Sequence, residues 1–142
     1  MEIKTFTEKY LDAVCEIEKI CFKNPWSRED LAAQIDNETS HFLVALIDDK
    51  VVGYMGLQIF SGEGYVTNVA VFPEYRRQGV AQKLISSQLE NDMSFITLEV
   101  RESNLSAISL YEKMGFESVG IRPKFYSNPT ENAVIMTRNL ID

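Results

Sequence analysis

An apolar run from Val66 to Phe72 leads within a few residues to Arg76-Arg77-Gln78-Gly79-Val80-Ala81, where a helical pattern opens. A strand that enters a glycine-containing turn and leaves as a helix is half of a β-α-β unit. The chain therefore needs a sheet with helices packed on it. The helix start is also chemically distinctive. Its first N–H groups have no intrahelical partners, and the helix dipole favours negative charge beside them. Arg76 and Arg77 add positive side chains, and Gly79 has no Cβ to hold a ligand off the backbone. A diphosphate is the natural occupant of such an end. On this segment alone, an ordinary surface turn before a helix is the competing reading.

The rest of the chain supplies the elements that such a unit requires. Ile3–Phe6 reads as a short strand. Thr7 stands in a capping position for a helix from Glu8 to Phe22, with Leu11, Val14, Cys15, Cys21 and Phe22 near one face. Lys23-Asn24-Pro25 breaks it. Ser27-x-x-Asp30 has the pattern of a cap for a second helix to Asn37, with Leu31 and Ile35 inward. Phe42–Ile47 and Val51–Phe60 form a hairpin around Asp48-Asp49-Lys50, and Ser61-Gly62-Glu63-Gly64 turns into the strand Tyr65–Phe72. A helix over Gly79–Asn91 buries Val80, Leu84 and Ile85. Phe95–Val100 is a strand and Leu105–Met114 a helix ended by Gly115. Phe116–Ile121 and Ala133–Leu140 are the last strands. The order β-α-α-β-β-β-α-β-α-β-β gives a mixed α/β (α+β) fold, a mostly antiparallel sheet flanked by helices. At 142 residues it is expected to be one domain, residues 1–142. Ligands of open α/β sheets sit beyond the carboxyl ends of strands, where the Arg76–Ala81 turn falls.

Charge and composition exclude several function classes. The net charge of −7 argues against direct nucleic-acid binding and is compatible with a cationic substrate. No apolar run reaches the roughly 18 residues of a membrane helix. Met1-Glu2-Ile3-Lys4 does not resemble a signal peptide, so a cytoplasmic location without membrane attachment is expected. Cys15 and Cys21 lack Cys-x-x-Cys spacing and read as free, buried thiols. With a single histidine, His41, expected at a strand entrance, neither a metal site nor a Ser–His triad has support.

A second group of chemically notable residues runs from Leu98 to Asn104. Ile96, Leu98 and Val100 point to one side of their strand and Phe95, Thr97 and Glu99 to the other. A glutamate among apolar neighbours is either a desolvated base with a raised pKa or a sheet-edge carboxylate paired with an arginine. Ala107, Leu110, Tyr111 and Met114 form a helical stripe. Tyr111 is either core or a phenol aimed at the ligand end, and Asn104 is either a contact or an N-cap.

These segments together resemble the GNAT family of acetyl-CoA-dependent N-acetyltransferases. Arg76-x-x-Gly79-x-Ala81 is similar to its R/Q-x-x-G-x-G/A signature. Asn24-Pro25-Trp26-Ser27, the run from Leu98 to Phe116, and Arg122-x-x-x-Tyr126 look most like the RimI-type ribosomal-protein-alanine N-acetyltransferases. The resemblance covers almost the whole chain. It implies acetyl-CoA as cosubstrate, with Val69, Ala70 and Val71 along the pantetheine arm. It also places Arg76, Arg77, Gln78, Gly79, Val80, Ala81 and Gln82 around the diphosphate, and Asn104 as a further cofactor contact. Glu99 is implied as general base acting through water, and Tyr111 as the acid that protonates the departing thiolate. Trp26 and Tyr126 would line a peptide groove. Phe125-Tyr126 and Glu131-Asn132-Ala133 depart from the type's usual Tyr-Tyr and Glu-Asp-Ala, which bears on the preferred N-terminal residue.

The implied acceptor is a protein N-terminal α-amine, specifically the alanine of a small-subunit ribosomal protein. An α-amine has a pKa of about 7.7–8.0, against about 10.4 for lysine, so a modest base suffices to free it. Two other readings stand beside this one. One is acetylation of a small amine or lysine. The other is a non-catalytic acyl-CoA-binding module, against which the presence of both Glu99 and Tyr111 argues.

Overall fold

The computed structural model describes residues 1–141. Two compact units divide the chain: Met1–Ile59 with Thr67–Asp92, and Phe60–Val66 with the chain from Met93 onward. The elements come in the expected order.

In the first unit, β1 (Glu2–Thr5) pairs antiparallel with β2 (Leu43–Ile47), Ile3 opposite Ala45. β2 in turn pairs antiparallel with β3 (Lys50–Phe60), Val44 opposite Tyr54, with a bulge at Ala45/Leu46. Asp48 and Asp49 take positive φ (50° and 64°), the conformation of the two-residue hairpin turn that suits strand twist. α1 (Leu11–Cys21) buries Leu11, Val14, Ile17 and Glu18. With Leu31 of α2 (Arg28–Ala33), this face packs onto Phe6, Phe42, Val44 and Tyr54. Each such fully buried apolar side chain contributes about 1.5–3 kcal/mol relative to exposure.

Three local expectations are corrected here. Thr7 makes no side-chain cap; its carbonyl accepts from the Tyr10 N–H at 3.0 Å, so the first turn, Glu8–Tyr10, is 3-10 and the α-helix starts at Leu11. Phe22 is not on the inner face: α1 ends at Cys21, Phe22 becomes extended, and it is 38% exposed. Cys15 and Cys21 are free thiols but only partly buried. Ser27 does cap α2, accepting from the Asp30 N–H at 3.0 Å.

β4 (Glu63–Val71) runs through both units, and α3 (Val80–Gln88) belongs to the first. α3 buries Val80, Leu84 and Ile85 as its periodicity predicts, together with Gln88, whose amide donates to the His41 carbonyl at 2.6 Å. A Cβ on Gly53 would come within 3.0 Å of the Ala70 carbonyl and of Val80, so glycine is what lets β3 approach the end of β4 and the start of α3.

In the second unit, β4 pairs parallel with β5 (Phe95–Arg101) through Glu63–Tyr65 and Phe95–Thr97. α4 (Leu105–Lys113) follows; Met114 is its C-cap, and Gly115 just beyond it has φ +91°. β6 (Glu117–Tyr126) and β7 (Glu131–Asn139) form an antiparallel hairpin, and β7 pairs antiparallel with β5. β6 runs five residues past the predicted end at Ile121. It lies last in the sheet order β1-β2-β3-β4-β5-β7-β6, and an edge strand tolerates Pro123 and the irregularity between Arg122 and Tyr126. The sheet has seven strands, mostly antiparallel. Among the described residues no helix is long and apolar enough to cross a membrane.

Candidate functional site

The turn expected to hold an anion is built by backbone. Arg77 and Gly79 both have positive φ (64° and 80°), and Gly79 is the N-cap of α3. A glycine cap has no side chain to occupy the first-turn amides. The Gly79 carbonyl takes the Lys83 N–H at 3.0 Å, which leaves the N–H groups of Val80, Ala81 and Gln82 without intrahelical acceptors. A Cβ built on Gly79 would meet nothing within 4 Å. Glycine is needed here for its left-handed backbone, where other L residues are strained by about 1–2 kcal/mol. Arg76, Arg77, Gln78 and Gly79 are exposed.

The two arginines differ. The Arg76 guanidinium turns back along β4, donating from Nε to the Val71 carbonyl at 3.2 Å and lying 3.6 Å from Cys21 Sγ through Nη2. Its side chain therefore ties the turn to the strand end. The Gln78 amide likewise closes the turn, donating to the Glu74 carbonyl at 3.3 Å. Val69 is half-buried, and Ala70 and Val71 are buried. The Val71 carbonyl also lies 3.5 Å from the Cys21 thiol. Burial pushes that thiol's pKa up, against the opposing pull of Arg76.

Trp26 follows the Lys23-Asn24-Pro25 break. Its backbone N–H donates to Glu18 Oε1 at 2.8 Å, and its ring centroid stands 6.1 Å from that of Phe42. Glu18, which periodicity places on the apolar face of α1 four residues after Val14, was missed as a notable residue.

In the second unit, Glu99 stands on β5 opposite Ile135, and its carboxylate is about 31% exposed. Arg122 of β6 reaches it, Nε to Oε1 at 3.3 Å. The arginine-paired alternative is thus the one observed, but its sheet-edge placement is corrected: β5 is an interior strand between β4 and β7. Tyr126 lies under the Arg101 guanidinium, 4.5 Å from ring centroid to Cζ, and makes a T-shaped contact with Phe125. Burial raises its phenol pKa, and the nearby Glu99 charge raises it further. Tyr111 is buried; desolvation, then the neighbouring Tyr126, push its phenol up to about 12. The Glu99 charge is thus felt at Tyr126, and Tyr126 in turn at Tyr111.

Sequence reasoning gave no role to Arg101, Glu131 or Arg122. Arg101 donates to Glu131 at 3.2 Å and to the Pro129 and Ser127 carbonyls at 3.1 Å, which secures the β6–β7 turn around Tyr126. Glu131 accepts from the Ser103 backbone N–H at 2.6 Å; its pKa is lowered chiefly by hydrogen bonding from the Ser103 side chain, with this backbone bond and Arg101 adding to it. Asn104 caps α4, its Oδ1 accepting from the Ala107 N–H at 3.3 Å. Its amide nitrogen is the end that could donate to a ligand.

Comparison with known proteins gives these features a context. The model of the Acetyltransferase (GNAT) family matches residues 11–116. A [Ribosomal protein bS18]-alanine N-acetyltransferase of Haemophilus ducreyi is 32% identical, across 94% of this chain and 97% of that protein. The crystal structure of the ribosomal-protein-S18-alanine N-acetyltransferase from Escherichia coli superposes with a TM-score of 0.91 at 28% identity, covering 99% of this chain and 94% of that one. The structure of an aminoglycoside 6'-N-acetyltransferase complexed with coenzyme A shares the fold, with a TM-score of 0.84 at 15% identity over 100% and 98% of the two chains.

Proposed function

The chain belongs to the GNAT family of acetyltransferases and is an N-acetyltransferase; from this premise we propose that it acetylates protein N-terminal α-amines, with the alanine of a small-subunit ribosomal protein as acceptor and acetyl-CoA as donor. The observation that carries the acceptor is the near-full-length likeness to a relative named for that reaction. The α3 N-terminus supports the donor: its first-turn amides and left-handed Gly79 fit a diphosphate.

Acetyl-CoA supplies the activated acyl group. The amides of the Arg77–Gln82 segment hold its diphosphate, with Arg77 adding charge. Val69, Ala70 and Val71 align the pantetheine arm strand-fashion. Because the Val71 carbonyl already accepts from Arg76, contact there falls to its N–H and to Val69. Asn104 donates through its amide nitrogen. Trp26 and Tyr126 shape the peptide groove.

Glu99 takes the proton that the α-ammonium must lose, directly or through water. About a tenth of α-amines are already neutral at pH 7, so a modest base suffices. Arg122 fixes the carboxylate's direction. Tyr111, held protonated by its raised pKa of about 12, donates at the departing sulfur. A phenol this weakly acidic acts as a firm hydrogen-bond donor to developing charge before it acts as an acid. No covalent enzyme intermediate is required, and positioning contributes the remainder.

The test is mass spectrometry of products after incubation with acetyl-CoA and three amines: an alanine-started ribosomal N-terminal peptide, its N-blocked twin with an internal lysine, and spermidine. One acetyl on the free α-amine alone is expected. Acetylation confined to spermidine or to the internal lysine overturns the acceptor assignment.

A further inference from the structure

Glu18 is a carboxylate with 1% exposure inside the core of the first unit. Burying a charge is costly unless it is hydrogen-bonded. Three donors meet this one: the Trp26 N–H at 2.8 Å, the Tyr54 hydroxyl at 2.5 Å and the Asn68 amide at 3.2 Å. Burial and this bond together push the Tyr54 phenol pKa far up, so Tyr54 stays the donor. Among the described residues no ion pair includes Glu18. Apolar groups of similar shape in place of buried charges are often neutral or stabilising, so stability gives a weak reason for an acid here.

The arrangement gives a stronger one. The three donors come from three elements: the loop after α1, the middle of β3, and β4. Asn68 immediately precedes Val69 in the segment read as the cosubstrate strand. Trp26 stands in the loop read as part of the acceptor groove. One carboxylate thus ties the acceptor loop to the cosubstrate strand. A single acceptor group cannot shift for one donor without straining the others, so the two segments are held in register.

We propose that Glu18 is a positioning residue for acceptor binding. It touches no substrate; it fixes the Trp26 backbone against β4 and so sets the shape of the groove wall. The proposal rests on the reading of Trp26 as a groove residue.

Two variants separate this role from plain core packing. Glu18→Gln keeps an acceptor for the Trp26 N–H. Its new amide stands in place of Oε2 and so faces both Tyr54, whose hydroxyl can turn to accept, and Asn68, whose Oδ1 has no protein partner in the present arrangement and can accept once that amide turns over. Glu18→Leu keeps bulk and removes every acceptor. In Glu18→Leu the KM for the amine acceptor is expected to rise roughly tenfold or more, the loss of a charged hydrogen bond, while the KM for acetyl-CoA stays within about twofold. Glu18→Gln is expected to restore most of the acceptor KM.

Trp26 is the sole tryptophan of the chain, so acrylamide quenching of its fluorescence reports the loop without any acceptor. Quenching should increase in Glu18→Leu and stay near wild type in Glu18→Gln. Equal rises in both KM values, or a lowered melting temperature with unchanged acceptor KM and unchanged quenching, would overturn the proposal. Should Glu18→Leu fail to fold, Tyr54→Phe removes one donor and keeps the core's shape. An acceptor KM raised about threefold is then expected, and an unchanged one counts against the proposal. The acceptor used is whichever amine the wild type acetylates. If that is spermidine, the peptide reading fails while the KM split and the quenching still decide the role of Glu18.

Discussion

The turn at the start of α3 and the Glu99–Tyr126–Tyr111 group solve different problems with different materials. The turn is made of backbone: positive φ at Arg77 and Gly79, and amides that a glycine cap leaves free. The tyrosine–glutamate group is made of side chains from β5, α4 and β6, and its character comes from burial and mutual charge. A backbone site accepts any side chain whose φ/ψ preferences fit. A side-chain site depends on the chemistry of each member. Substitutions should therefore fail by conformation in the first region and by functional group in the second.

The largest departure is expected at Tyr111. Tyr111→Phe keeps the ring that packs 5.8 Å from Phe116 and loses only the hydroxyl. A kcat lowered about a hundredfold with unchanged acetyl-CoA KM is predicted from steady-state kinetics. The raised pKa also fixes a sign: the proton is retained up to about 12, so in the wild type Tyr111 adds no descending limb to the kcat profile below the ordinary tyrosine value of 10.0. At Gly79 the prediction turns on conformation. Gly79→Val should weaken acetyl-CoA binding about tenfold by calorimetry, through about 1–2 kcal/mol of left-handed strain, and Gly79→Asn should cost clearly less. The smallest effect belongs to Arg122→Met. The Arg122 side chain is 57% exposed, and such pairs contribute about 1 kcal/mol or less, so acceptor KM should rise at most about fivefold. That difference should shrink further in high salt.

The same contrast explains what the sequence made legible. The turn could be read from local order, because a strand, a glycine and a helix start are consecutive. Element order was legible for the same reason: hydrophobic period and turn residues are local. The pairing of Glu99 with Arg122 was not, since it depends on register across two strand pairs: Glu99 opposite Ile135, and Ile135 opposite Gly120, two residues before Arg122. Glu18 was legible in principle, as the positions of Leu11, Val14 and Ile17 put it on the inward face. Thr7 and Phe22 show where local rules give way, one to a 3-10 turn and the other to an extended residue after a helix end.

The proposed chemistry turns on Glu99 as the group that frees the amine. The direct measurement is kcat/KM against pH for wild type and Glu99→Gln, with an alanine-started peptide at saturating acetyl-CoA. Near pH 6.5–7 the variant should fall about a hundredfold or more below wild type, and the gap should narrow as pH passes the amine pKa of about 8 and the acceptor deprotonates unaided. A gap that stays constant across that range, or no gap at all, would contradict it.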